Sequence, residues 1–154
     1  MAPFKRILVP VDFSPHSERA AALAAELAKT FGASLTVLHV YSIPTYPLPE
    51  GYIIASPETV AELMTKISSA LKEVKTRVLA RGAPHVESLL VEGSAFAEIV
   101  RTAREKQHDL IVMGTHGRTG LKHALMGSVA EKVVRKAHCP VLTVRDPELI
   151  FELP

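Results

Sequence analysis

FKRILVPVDFSPHSERAAALAAELAKTFG, residues 4–32, contains a complete structural unit of the fold. The run over residues 4–11 is short, apolar and rich in β-branched residues, as a buried strand is. The apolar residues Ala20, Leu23, Ala24, Leu27, Ala28 and Phe31 then recur at three- and four-residue spacing, which is the period of a helix with one buried face. Ser14 stands where a helix cap belongs, Pro15 follows at the first helical position, and Gly32 closes the helix. The segment is predicted to be a strand followed by a helix.

The same alternation continues downstream. SLTVLHVYS (residues 34–42) is predicted as a buried strand, and IPTYPLPEGYIIASPE after it carries four prolines and no period, so residues 43–57 are expected to form a Pro-rich loop. Val60, Leu63, Met64, Ile67, Leu71, Val74 and Val78 mark a second helix that stops at Gly82 and Pro84. HVESLLVEG gives a third strand, Ser94 caps a helix with Phe96, Ile99, Val100 and Ala103 on one face, and residues 109–115 (DLIVMGT) give a fourth strand. Ser128 opens a last helix, with Glu131 three residues on as a capping box, and residues 140–146 (PVLTVRD) are the fifth strand.

Strands that alternate with helices imply a parallel sheet covered on both faces, because parallel strands need right-handed crossovers. The expected class is α/β: an open, doubly wound, five-stranded sheet in the order 3-2-1-4-5. The 154 residues, 47% of them hydrophobic, suit one domain over residues 1–154 that ends in a tail at 146–154. Eighteen Lys and Arg against sixteen Asp and Glu, with no basic run, give no nucleic-acid footprint. The single cysteine, Cys139, precludes an internal disulfide, and no apolar run has the length of a membrane span. These features lead to the expectation of a cytoplasmic protein that engages neither nucleic acid nor membrane.

Four of the eight glycines, Gly114, Gly117, Gly120 and Gly127, fall within MGTHGRTGLKHALMGS, residues 113–128. In the expected order, the carboxyl ends of the first and fourth strands flank the point where the winding reverses, and ligands settle at such points. The first turn, PVDFSPHS, lacks the glycines of a dinucleotide fold, and no P-loop, HExxH or paired CxxC occurs. What remains is GxxG, nine residues, then Gly127–Ser128 at a helix start, where free amides and the helix dipole favour an anion. Gly93–Ser94 also precedes a helix, so the pair alone carries no weight; its position at the crevice does. His16, His39, His85, His108 and His138 share no metal-ligand spacing.

With ILVPVDFS, TVLHV, LIVMGTHGRTG and CPVLTV beside the gapless GxxG-nine-GS motif, the chain resembles the universal stress protein family in its ATP-binding branch. The resemblance implies that Pro10 and Val11 shape an adenine wall, that Asp12 takes the ribose hydroxyls, and that the backbone of Val40 bonds the adenine edge. Met113, Gly114, His116 and Gly117 would line the ribose and phosphate path, and Gly127, Ser128, Val129 and Ala130 would hold the phosphates. Ala130 stands where family ATP binders often carry a hydroxyl. ATP with accompanying Mg2+, and a homodimer formed through the last strand between Pro140 and Val144, are implied likewise.

The expected role is a nucleotide-dependent regulatory module in a stress response. The rival expectations are a slow ATPase or self-phosphorylating enzyme, with His116 or Ser128 in the chemistry, and an interaction protein that keeps the fold without the ligand.

Overall fold

The computed structural model describes residues 4–116 and 126–145. The parts of the reading that fall on Gly117, Gly120 and the 146–154 tail lie outside them. β1 (Arg6–Pro10) leads into α1 (Pro15–Phe31), followed by β2 (Ser34–Tyr41), β3 (Thr45–Leu48), β4 (Gly51–Ile54), α2 (Pro57–Ala80), β5 (His85–Glu92), α3 (Ala95–Glu105), β6 (Leu110–Gly114), α4 (Ser128–Lys136) and β7 (Val141–Val144).

The main sheet is parallel throughout, in the order β5-β2-β1-β6-β7. This is the expected 3-2-1-4-5 order, counted without the two short strands of the 45–54 segment. Strand alternation divides the core in two. Ile7 and Val9 of β1 and Leu110 and Val112 of β6 face α1 and α2, whereas Leu8, Ile111 and Met113 face α3 and α4. Ala20, Ala21, Ala24, Ala25 and Ala28 of α1 are at most 3% exposed, so this helix meets the sheet through small side chains and lies close to it. Each fully buried Leu, Ile or Val contributes about 1.5–3 kcal/mol.

Caps set the local boundaries. Ser14 Oγ accepts from the Ser17 amide, and Gly32 ends α1 at a left-handed φ of 65°. Three sequence expectations are corrected. The 43–57 segment is not simply a loop: β3 and β4 pair antiparallel, with Tyr46 opposite Ile53 and Leu48 opposite Gly51. Pro47 is tolerated there because a two-stranded ribbon consists of edges. Next, Gly127 is the cap of α4 and Ser128 its first helical residue, so no capping box forms; Glu131 instead pairs with Arg135 at 2.8 Å. Ser94 holds the cap position of α3, yet its side chain makes no capping bond.

Candidate nucleotide site

A cavity of about 230 Å3 opens at the carboxyl edge of the sheet, where β1 and β6 part and the chain winds away in opposite directions. The β1 side supplies Pro10, Val11 and Asp12, β2 supplies Leu38 and Val40, and β6 and its continuation supply Met113, Gly114, Thr115 and His116. Gly127, Ser128, Val129 and Ala130, at the start of α4, complete the wall. Eleven of the twelve residues named from the sequence therefore line one cavity; the twelfth, Gly117, lies outside the described residues.

The β1 corner is held by a set of short hydrogen bonds. The Val11 amide donates to the Leu38 carbonyl at 2.8 Å, extending the β1 ladder by one bond. The Val11 carbonyl lies 2.7 Å from His39 Nδ1, which must therefore carry the ring proton. Phe13 stacks on His39 with ring centroids 4.3 Å apart, and it sits at a φ of 64°, a conformation that costs a non-glycine residue free energy. This turn fixes Asp12 between its neighbours. Asp12 Oδ1 accepts from the Ser14 amide at 3.0 Å and from Ser14 Oγ at 2.5 Å, while the Asp12 amide donates to Ser17 Oγ at 3.2 Å. Ser14 thus caps α1 and orients the carboxylate at the same time.

The opposite corner is tied together by Thr115. Its amide donates to the Val144 carbonyl at 3.1 Å, and its own carbonyl accepts from the Gly127 amide at 2.5 Å. Thr115 Oγ1 lies 3.0 Å from His116 Nδ1, and the His116 ring centroid stands 5.8 Å from that of His16. Among the described residues no side chain caps α4, and its first residues belong to the cavity wall. Helix starts leave their first amides without intrahelical acceptors.

Alternation along β2 explains the placement of Val40. The Leu38 carbonyl points toward β1 and the Tyr41 carbonyl toward β5, where it accepts from the Gly93 amide at 2.8 Å. Residues two apart face the same way, so the N–H and C=O of Val40 point toward β1, beyond the last ladder pair at Pro10 and Leu38.

The profile of the universal stress protein family matches residues 3–145. The chain belongs to the universal stress protein family. Universal stress protein MJ0531 of Methanocaldococcus jannaschii is 42% identical over 148 residues, which cover 94% of this chain and 84% of the relative. The solved structure of UspA from Lactobacillus plantarum superposes with a TM-score of 0.79 at 27% identity, covering 92% of this chain and 98% of that one. The universal stress protein of Archaeoglobus fulgidus in complex with dAMP matches with a TM-score of 0.63 at 26% identity, over 93% and 98% of the two chains.

Five lining residues were missed from the sequence: Ser17, Leu38, Ala95, Ile99 and Thr115. Ser17 lies one helical turn beyond Ser14, and Leu38 two residues before Val40, so periodicity alone was a signal for both. Ala95 and Ile99 come from α3, whose apolar face was read only as core. Cys139 is half-buried against the α3/α4 side of the core, and burial raises its thiol pKa, consistent with a small hydrophobe. Among the described residues no helix is long and apolar enough to cross a membrane. Nor, among them, are three His, Cys, Asp or Glu side chains grouped to hold a metal.

Proposed function

We propose that this universal stress protein binds an adenine nucleotide in the β1/β6 cavity, with ATP and its Mg2+ as the resident ligand, and acts as a nucleotide-dependent regulatory module of a cytoplasmic stress response. The observation that carries the reading is the pairing of unlike ends in one cavity. Outward-facing Val40 peptide groups and the fixed Asp12 carboxylate stand at one end, and the start of α4, which no side chain among the described residues caps, at the other.

The residues fit the parts of such a ligand. Pro10, Val11, Leu38 and Ile99 supply apolar surface for a base, and the Val40 N–H and C=O offer one donor and one acceptor to its edge. Asp12 accepts from sugar hydroxyls, oriented by Ser14 and Ser17. The Ser128 and Val129 amides and the dipole of α4 favour phosphate oxygens, and Ser128 adds a hydroxyl. The buried Ala130 adds none. Mg2+, when bound, neutralises phosphate charge; Asp12 is the only carboxylate lining the described cavity, so phosphate oxygens and water would supply most of its ligands. The dAMP held by the Archaeoglobus fulgidus relative supports an adenine nucleotide as the ligand class.

Dimerisation through β7 belongs to the same proposal. Among the described residues β7 pairs only with β6 and nothing pairs with its other edge, and Leu142 on it is 39% exposed. Mass spectrometry of the small molecule that accompanies the natively purified protein, followed by titration with ATP, AMP and cyclic AMP, tests the ligand. Retained adenine nucleotide with tightest binding of ATP is expected; no binding at millimolar nucleotide ends the proposal. Phosphate release at the background rate alongside intact binding separates the regulatory role from a slow ATPase.

A further inference from the structure

The 45–54 hairpin and α2 form an arm whose surface is unlike the rest of the molecule. All eight residues of β3 and β4 are exposed, and the hairpin packs mainly strand against strand. Tyr52 is 78% exposed and Ile54 66%, with Tyr46, Leu48 and Ile53 about half exposed. A two-stranded hairpin is marginal in water without a surface to cover it. Along α2, burial begins only at Ile67, so the first turns of the helix stand away from the core together with the hairpin.

Charge on this arm is segregated. Residues 43–65 carry Glu50, Glu58 and Glu62 and no Lys or Arg, whereas residues 66–81 carry Lys66, Lys72, Lys75, Arg77 and Arg81 against Glu73 alone. One exposed stripe of α2 runs through Glu58, Glu62, Thr65, Ser69, Lys72 and Thr76 at helical spacing. The two threonines bond their own helix, Thr65 Oγ1 to the Ala61 carbonyl and Thr76 Oγ1 to the Lys72 carbonyl, each at 2.9 Å. Their hydroxyls therefore require no water, and the middle of the stripe is short enough for a close helix crossing.

We infer that a second copy of this chain docks along α2 in antiparallel register about a two-fold axis, the acidic arm of each copy lying on the basic half of the other. The stripe is complementary to itself in an antiparallel register. An axis passing at the level of Ile67 sets Glu62 opposite the partner's Lys72, sets Thr65 opposite the partner's Ser69, and brings Glu58 beside the partner's Lys75. The same arrangement turns the hairpin end of each arm, with Ile54 66% exposed, toward the C-terminal end of the partner's α2, where Leu79 is 45% exposed. Self-complementarity of one patch is what a closed two-fold contact requires. Antiparallel helices also align their dipoles favourably. Lys66 and Lys72 are exposed, while Arg77 and Arg81 are already held by Glu18 and Glu26, so the lysines supply the contact with the second copy. This contact depends on neither the nucleotide nor β7 pairing.

Sedimentation velocity at low and high salt tests it with two charge-reversal variants, Glu58→Lys/Glu62→Lys and Lys72→Glu/Lys75→Glu, each checked for native circular dichroism. The wild type is expected to associate, more strongly at low salt. Each variant alone is expected to halve the assembly mass, and an equimolar mixture of the two to restore it, since mixing makes both crossed contacts attractive again. The Ile54→Glu variant is expected to halve the mass as well. If β7 pairing also occurs, the variants stop at a dimer; if it does not, they fall to monomer, and the halving holds in both cases. A monomeric wild type at millimolar concentration, or an unchanged mass in both reversal variants, overturns the inference.

Discussion

Gly114 lies directly against the backbone of His16: a Cβ built at Gly114 would stand 3.1 Å from the His16 carbonyl carbon and oxygen and 3.2 Å from its Cβ. The glycine at the end of β6 is therefore required by the first turn of α1, which crosses the strand end, as well as by any ligand in the cavity. Main chain cannot swing aside as a flexible side-chain tip does. Gly114→Ala is expected to destabilise the protein by about 1–3 kcal/mol, the usual cost of overpacking. Urea unfolding measures it, and wild-type stability in this variant would show that α1 gives way freely. Because His16 lies two residues from the Ser14 bonds that fix Asp12, nucleotide affinity is expected to fall alongside stability.

Gly127 behaves oppositely. Its φ of −68° and ψ of 155° are ordinary extended backbone that any residue adopts, so nothing in its conformation requires glycine. Gly127→Val is expected to cost about 1 kcal/mol of stability, because valine is a poor helix cap, and to leave the domain folded. Yet it places a branched side chain at the mouth of the α4 amides. ATP affinity, measured by isothermal titration, is expected to fall tenfold or more. Affinity equal to wild type would mean that phosphate does not approach α4 at this residue.

The contrast between these two glycines shows what the sequence disclosed and what it did not. The parallel doubly wound class followed from alternating elements, and, given the order 3-2-1-4-5 that the family resemblance implies, the convergence of residues 10–12 with residues 127–130 followed from the reversal of winding. The reason for each glycine did not follow, because it depends on which backbone passes within 3–4 Å. Nor did the β3/β4 hairpin: Pro44, Pro47 and Pro49 break the period-two pattern that identifies a strand, and only the cross-strand partners Tyr46 and Ile53 make it one. Ser128 was misplaced by one residue for a related reason. Either Gly127 or Ser128 can cap a helix, and it is the bond from the Gly127 amide to Thr115 that sets the register.

Asp12 and Ser14 allow structure and binding to be separated. Asp12→Asn keeps an oxygen to accept from the Ser14 amide, so stability is expected to stay near wild type. A sugar hydroxyl, by contrast, loses a charged acceptor, a loss of about 1.5 kcal/mol or roughly tenfold in affinity. Ser14→Ala removes the bond to the Ser17 amide and the support of Asp12 Oδ1 together. It is expected to cost about 1 kcal/mol of stability as a lost helix cap, with weaker binding as a consequence. Thermal unfolding and titration on the same two samples check both. Equal losses of stability in the two variants would contradict the division of roles.

The last expectation concerns the opposite end of the sheet. His108 is 3% exposed, with Nε2 2.9 Å from Thr36 Oγ1. Burial is the main cause that holds its pKa below the ordinary 6.5, and Lys106 and Arg6 add to it; the Thr102 carbonyl and Glu87 pull the other way. Well above 6.5 the ring is neutral in both the folded and the unfolded chain and contributes no pH dependence. As pH falls below that value the unfolded chain takes up the proton first, so stability is lost progressively until the folded state also protonates. His108→Gln, which keeps a donor for Thr36, removes this titration. Urea unfolding of both proteins between about pH 7 and about pH 5 is expected to show wild-type stability falling more steeply than that of the variant. The carboxylates are common to both chains and cancel in the difference, so parallel curves would mean that His108 accepts its proton equally well folded and unfolded.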